Sequence, residues 1–121
     1  MASEARARRV AERIAEETAD ILLKEVEDQR LSQISVMDVK VDRELAYATI
    51  YISSYLSDAE DEEILHALDG ARGFLRSKLA SRIQLRSFPH LRFRMDTTSE
   101  QGARIDDLLA SIRQERSQDE E

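Results

Sequence analysis

The sequence predicts an α+β domain in which helices cover one face of a three-stranded sheet. Residues 46–53 alternate in side-chain character from one residue to the next, which is the period of a half-buried strand. Apolar residues recur at spacings of three and four over 4–28, 60–83 and 98–113, as in amphipathic helices. The resulting order is α-β-β-α-kink-α-β-α. A hairpin followed by a helical crossover into a third strand makes a single sheet.

The first half of the chain is predicted to be a long helix followed by a β-hairpin. Residues 31–34 form a short connection after the helix. Residues 36–41 are rich in Val, which favours strands. A polar turn at 42–44 leads from them into the alternating strand, so the two strands are expected to pair with each other.

The second half is predicted to be a helical segment followed by a third strand. The segment starts with acidic residues, which suit the positive end of a helix dipole, and Ser57 or Asp58 is its expected cap. Gly70 and Gly73 lie in its middle, where each glycine costs about 1 kcal/mol relative to Ala. We therefore expect two helical arms that meet there at a kink or a break. Apolar residues at alternate positions in 91–95 predict the third strand.

Length and composition limit the possible chemistry. A chain of 121 residues fits one domain, placed at residues 4–113, and the polar residues 114–121 are expected to be a disordered tail. The absence of cysteine excludes thiol nucleophiles and thiolate metal sites. His66 and His90 have neither metal-ligand nor nucleophile–base spacing. We therefore expect no enzymatic activity, no metal and no cofactor.

The sequence carries no membrane or transit signal. No apolar run reaches the roughly 18 to 20 residues that span a bilayer. The Arg-rich start of the chain also contains glutamates, which transit peptides lack. We expect a cytoplasmic monomer with no membrane partner.

Charge is distributed unevenly along the chain. The formal net charge is −7, which alone argues against a nucleic-acid partner. Residues 58–69, however, hold six acids and no Lys or Arg, whereas residues 72–94 hold seven bases and no acid. We therefore expect one strongly positive surface outside the core, suited to phosphate groups.

A Gly-x-x-Gly step lies where the positive segment begins. The backbone at Gly70 and Gly73 can approach a phosphodiester closely, because glycine has no side chain, and Ala71 helps to shape this junction. KH modules grip single-stranded RNA with such a step. The predicted RNA contacts are the bases that follow it, namely Arg72, Arg76, Lys78, Arg82 and Arg86. The alternative is a helix kink that serves only packing.

Other bases and two aromatic residues are secondary candidates. The bases are Arg8, Arg9, Arg92 and Arg94. They extend the RNA footprint, or else they pair with acids in the same helix or protect a sheet edge. Tyr47 and Tyr51 share the outward face of the second strand, where they either stack on bases or only fill the sheet surface.

Several stretches of the sequence resemble the bacterial ribosome-binding factor A family. They are Arg8–Val10, Val39–Ser53, Ala67–Arg76, Ile83–Asp96 and Gly102–Ile105. The resemblance covers roughly residues 5–112, in the family's order. The pattern Leu-Arg-x-x-Pro-x-Leu-x-Phe, from Leu85 to Phe93, is a fairly specific part of it.

The resemblance implies a KH-like fold of type II. It also implies binding to 16S rRNA in free, late pre-30S small subunits during their maturation. Family members typically have an Ala-x-Gly kink, matched by Ala71 and Gly73, and Gly70 also completes a Gly-x-x-Gly loop pattern. Two other functions stay open: a protein adaptor whose basic patch meets an acidic partner, and an unrelated KH module that binds messenger or small RNA.

Overall fold

The computed structural model describes residues 3–54, 57 and 59–96. Its helices are α1 (Glu4–Lys24), α2 (Gln29–Ser32) and α3 (Asp61–Arg82), and its strands are β1 (Ser35–Val41), β2 (Tyr47–Ser53) and β3 (His90–Met95). This confirms the predicted α+β class. The last predicted helix, the end of the predicted domain and the tail at 114–121 lie outside the described residues.

β2 is the central strand of one mixed sheet with the order β1-β2-β3. β1 pairs with β2 antiparallel, with a register shift between Val36 and Asp38. β3 pairs with β2 parallel, because α3 carries the chain back before β3 begins. The predicted hairpin and helical crossover are therefore confirmed.

The hairpin turn places Tyr47 at the start of β2. Asp42 Oδ1 accepts hydrogen bonds from the backbone N–H groups of Ala46 at 2.9 Å and Tyr47 at 2.7 Å. Leu45 has φ 57°, a left-handed conformation that side chains seldom adopt. The Asp42 carboxylate thus satisfies the turn's backbone donors and fixes where the strand begins.

One face of the sheet packs against the helices. α1 contacts β1, α3 contacts β3, and the two helices contact each other. Ala48, Ile50 and Ile52 point inward from β2 and are fully buried. Tyr47 and Tyr51 alternate with them on the opposite face, where Tyr47 is exposed and Tyr51 half-buried. The helices therefore cover one face, as predicted.

α3 runs without interruption through both glycines of the predicted junction. The helix spans Asp61–Arg82, and neither Gly70 nor Gly73 has a positive φ. A break between two helices is therefore wrong, and the segment is not a Gly-x-x-Gly loop, whereas a kink within the continuous helix stays a prediction. Leu68, Leu75 and Leu79 are fully buried on either side of the glycines, and this packing outweighs the low helix propensity of glycine.

Replacing Gly73 with Ala is expected to stabilise the protein by roughly 0.5–1 kcal/mol. A Cβ built at Gly73 would meet no atom within 4 Å, and the same holds at Gly70. The substitution therefore restricts the unfolded chain without a clash. Urea denaturation measures the change, with Gly70→Ala as the parallel variant. A lower midpoint for both would contradict a regular helix at this point.

Two helix ends and one additional short helix differ from the prediction. α1 ends at Lys24 instead of residue 28, and the unpredicted short helix α2 follows, with Asp28 as its cap. The N-cap of α3 is Glu60, not Ser57 or Asp58. Glu63 Oε1 accepts from the Glu60 backbone N–H at 2.9 Å in a capping box. Two glutamates of the acidic run therefore accept hydrogen bonds from backbone N–H groups at the start of α3.

Thr18 is a polar residue within the core. It is fully buried, and its hydroxyl has no hydrogen-bond partner among the described residues. Thr18→Val is expected to raise the free energy of unfolding by about 1 kcal/mol, because it removes an unsatisfied buried group. Chemical denaturation provides the measurement. Thr18→Ala is the control and should destabilise, since it leaves a cavity as well.

Candidate nucleic-acid interface

Arg82 lies in a cluster of ion pairs between α1 and α3. Its Nη1 lies 2.8 Å from Glu17 Oε1 and 2.9 Å from Asp20 Oδ2, and its Nη2 donates to Glu25. The side chain is only 26% exposed. The hydrogen bonds to Glu17 and Asp20 raise the pKa of Arg82. Carboxylates of one helix thus hold a cation of the other and link the two helices.

Lys78 and Lys24 extend this cluster. Lys78 Nζ lies 3.0 Å from Glu25 Oε1, and Lys24 Nζ lies 2.9 Å from Asp20 Oδ1. The hydrogen bond from Arg82 lowers the pKa of Asp20, and the one from Lys78 lowers the pKa of Glu25. Both carboxylates are therefore ionised at neutral pH and offset the positive charge on this side of α3.

Arg76 is turned toward the segment that enters β3. Its Nε donates to the carbonyl of Pro89 at 3.0 Å, and its Nη2 donates to the carbonyl of Phe88 at 2.5 Å. Both of these residues are buried. The Arg76 guanidinium thus satisfies two backbone acceptors and attaches this segment to α3.

Arg72 stays at the surface. Its Nη2 lies 2.5 Å from Asp69 Oδ1, one turn earlier in α3, and its side chain is 48% exposed. Exposed pairs of this kind contribute little to stability. A phosphate group can therefore compete with Asp69 for the Arg72 guanidinium.

The five predicted RNA contacts do not form one positive surface, so that expectation is wrong. Acids of α1 and its C-cap Glu25 neutralise Lys78 and Arg82, and backbone carbonyls hold Arg76. Arg86 differs from these three, because it is exposed and makes no ion pair with any described residue. The direct RNA contacts assigned to these residues remain predictions.

The outer face of β3 presents two further cations. Arg92 and Arg94 are exposed, and neither pairs with an acid in the described part of the chain. The guanidinium carbon of Arg92 lies 3.8 Å from the ring centroid of Tyr47. Arg94 Nη1 donates to the carbonyl of Phe93 at 3.0 Å. These two arginines therefore leave the open face of the sheet positively charged on the β3 side.

The other predicted positions are divided between two places. Arg8 and Arg9 are exposed on α1 and make no ion pair with a described residue. Gly70 and Ala71 line a shallow groove of about 350 Å³ between α2 and α3, and Gly73 is exposed farther along α3. Close approach of an RNA backbone to these residues remains a prediction.

A metal site and a membrane-spanning helix are both absent from the described part of the chain. Within these ranges, no group of three or more His, Asp or Glu side chains is placed to hold a metal ion. His66 lies on α3 and His90 at the start of β3. None of the described helices is long and apolar enough to cross a membrane.

Sequence reasoning missed two sets of contacts. One is the group of acids around Arg82, and the other is the stacking of Arg92 on Tyr47. The spacing of Glu17 and Asp20, three residues apart, does show that these acids share one face of α1. No local pattern shows that this face meets Arg82, because Arg82 lies on another helix.

Comparison with known proteins gives one consistent match. The ribosome-binding factor A family matches residues 6–109. Ribosome-binding factor A of Halothermothrix orenii is 38% identical over 116 residues, covering 96% of this chain and 95% of that protein. Its counterpart from Desulforamulus reducens is 39% identical over 107 residues, covering 88% of this chain and 89% of the relative.

A solved structure confirms the fold. The crystal structure of ribosome-binding factor A from Thermus thermophilus superposes with a TM-score of 0.58 at 26% identity, covering 77% of this chain and 96% of that one. This structure has a KH-like fold, as predicted for the present chain. Because the sequence match covers most of its length, the chain belongs to the ribosome-binding factor A family.

Proposed function

We propose that this protein is a non-catalytic, cytoplasmic assembly factor that binds 16S rRNA in the immature small ribosomal subunit and assists late maturation. Its family membership over nearly the whole chain is the observation that carries the proposal. A model of the Thermus thermophilus relative fitted into a cryo-electron-microscopy map of a 30S–ribosome-binding factor A complex supports the small subunit as partner. That relative has a TM-score of 0.54 at 29% identity, covering 79% of this chain and 93% of its own.

The arrangement of charge supports RNA as the component that is bound. Arg86, Arg92 and Arg94 are exposed, and the described acids leave them unpaired. Cations without carboxylate partners gain most from a phosphate, because no existing ion pair has to be broken. Arg72 and Lys78 are 48% and 43% exposed and can contribute once Asp69 and Glu25 are displaced.

Sedimentation of a cell lysate tests the proposed function. We expect the protein to migrate with free small subunits and to be depleted from translating ribosomes. Precursor 16S rRNA should accumulate when the protein is removed. Complexes with ribosomal proteins that persist after nuclease digestion of the RNA would instead support a protein adaptor.

The affinity for small-subunit RNA is expected to fall steeply with salt. The logarithm of the binding constant should fall by roughly 0.7 per phosphate contact for each unit of log salt on single strands. Three unpaired arginines therefore give a slope of about −2 or steeper. Fluorescence anisotropy over a series of salt concentrations provides the measurement. A flat response would contradict binding through the RNA backbone.

A further inference from the structure

An open cavity of about 520 Å³ lies where the first turn of α1 meets the chain entering β3. Arg6, Arg86 and His90 line it, together with one acid, Glu44. Both arginines are exposed, and neither pairs with an acid among the residues described. Two cations that share a concave surface without neutralising partners favour an anion such as a phosphodiester.

His90 connects this cavity to a stack on the outer face of the sheet. Its ring centroid lies 5.7 Å from that of Tyr47. The Arg92 guanidinium carbon lies 3.8 Å from the same Tyr47 centroid. His90 and Arg92 are two residues apart on β3 and so share one face, and Tyr47 is 43% exposed. The cavity and the stack therefore form one continuous surface.

We propose that this surface, formed by Arg6, Arg86, His90, Arg92 and Tyr47, is a binding site for single-stranded RNA. The cavity holds a backbone phosphate, and the guanidinium plane of Arg92, supported by the Tyr47 ring, stacks on the neighbouring unpaired base. The proposal rests on the proposed function and adds to it a surface away from the glycines of α3. The RNA bound at this surface is unpaired.

The combination of chemistries favours RNA over an acidic protein segment. Bases stack on aromatic rings and on arginine planes, and every base offers a flat face for this. A carboxylate would satisfy Arg6 and Arg86 but would not use the Arg92–Tyr47 stack. A duplex keeps its bases inside the helix, so only an unpaired strand uses both the cavity and the stack.

Binding of a short single-stranded RNA that carries the fluorescent base 2-aminopurine tests the proposal. Arg92→Lys keeps the charge but removes the plane, and Tyr47→Leu removes the supporting ring. Each is expected to raise Kd by about fivefold or more and to reduce the stacking-dependent quenching of 2-aminopurine. Tyr47→Phe keeps the ring and should bind as the wild type does. Arg86→Gln should make the salt slope shallower by about 0.7.

Lys24→Gln is the matched control for Arg86→Gln. It also removes one exposed charge, which pairs with Asp20 at the surface and lies about 27 Å from Arg6 along α1. Its affinity and salt slope should stay near the wild-type values. If Arg92→Lys and Tyr47→Leu show native circular dichroism and wild-type affinity and quenching, RNA does not bind this surface. Binding of duplex RNA as tight as that of the single strand would also overturn the proposal.

The outcome separates this proposal from the proposed function. A protein that joins small subunits normally but binds single-stranded RNA independently of Arg92 and Tyr47 contradicts only the proposed single-strand binding surface. A wild-type protein that neither joins small subunits nor binds RNA contradicts both proposals. Parallel sedimentation of the Tyr47→Leu variant, with Tyr47→Phe as its control, distinguishes the two results.

Discussion

Replacing Arg82 with Glu is expected to lower the melting temperature by on the order of 10 °C. The change removes a cation that contacts Glu17, Asp20 and Glu25, and it adds a fourth carboxylate at the same place. α1 and α3 then repel each other where they now attract. Thermal denaturation followed by circular dichroism at neutral pH measures the loss.

Arg86→Glu is the control for this prediction. It produces the same change in net charge at an exposed residue that has no ion pair with the described residues. Its melting temperature should stay within roughly 3 °C of the wild type. Equal losses in the two variants would show that overall charge, and not the cluster around Arg82, sets the stability.

The pH dependence of the Arg82 effect follows from the lowered pKa values of Asp20 and Glu25. The usual values of these groups are 3.8 and 4.5. Stability from their ion pairs is complete above these values and is lost as the pH falls through the lowered ones. The difference in melting temperature between wild type and Arg82→Gln should therefore be constant at neutral pH and shrink as the pH falls below about 5. A constant difference would contradict the assigned pairs.

Most of the fold could be predicted because its signals are local. Alternation in 46–53 and helical spacing in 60–83 each reflect burial of one face, and the structure places both elements close to those limits. The end of α1 was not predictable in this way. Val26 is apolar and packs against the core after the helix has ended, so the apolar stripe continues past Lys24. α2 has four residues, too few to produce a period.

The directions of the basic side chains on α3 were predictable in part. At about 100° per residue, Arg72 and Arg76 lie within about 40° of each other, and so do Lys78 and Arg82. The two pairs diverge by about 120°, so counting charges along the chain combined two different faces of the helix. The acids that meet Arg82 lie 57 to 65 residues away in the sequence. Only the packing of α1 against α3 reveals those contacts.

The contact between Arg92 and Tyr47 illustrates a different limit. Alternation along each strand shows that Arg92 and Tyr47 both point away from the hydrophobic core. Which residues become neighbours depends on the parallel register, in which Tyr47 lies beside His90 and Thr49 beside Arg92. A sequence pattern gives no register between strands separated by a long helix. From the sequence, Arg92, Arg94 and Tyr47 could therefore be named only as separate candidates for RNA contact, and not as one face of the sheet.

Reversing Arg86, Arg92 and Arg94 together to Glu is expected to weaken association with small subunits by on the order of 100-fold. Each residue loses a phosphate contact, and each new carboxylate repels the RNA backbone. The three side chains are exposed and lie outside the described ion pairs, so secondary structure and a cooperative melt should be retained. Quantitative sedimentation with purified small subunits provides the measurement.

The control for this triple variant reverses Lys24, Arg30 and Arg43, which are also exposed. Lys24 and Arg30 pair with Asp20 and Asp28, so circular dichroism first establishes that the control variant is folded. Both variants change the net charge equally, so a general loss of attraction to RNA would weaken them to the same extent. A specific interface predicts a strong loss of association only when Arg86, Arg92 and Arg94 are reversed. Arg92 and Arg94 lie on β3, and Arg86 lies in the segment that leads into it. If the first variant stays folded and still joins small subunits normally, the open face of the sheet and the Arg86 loop do not contact rRNA. Among the described residues, Arg8 and Arg9 on α1 and Arg72 on α3 would then be the next candidates, because they are exposed.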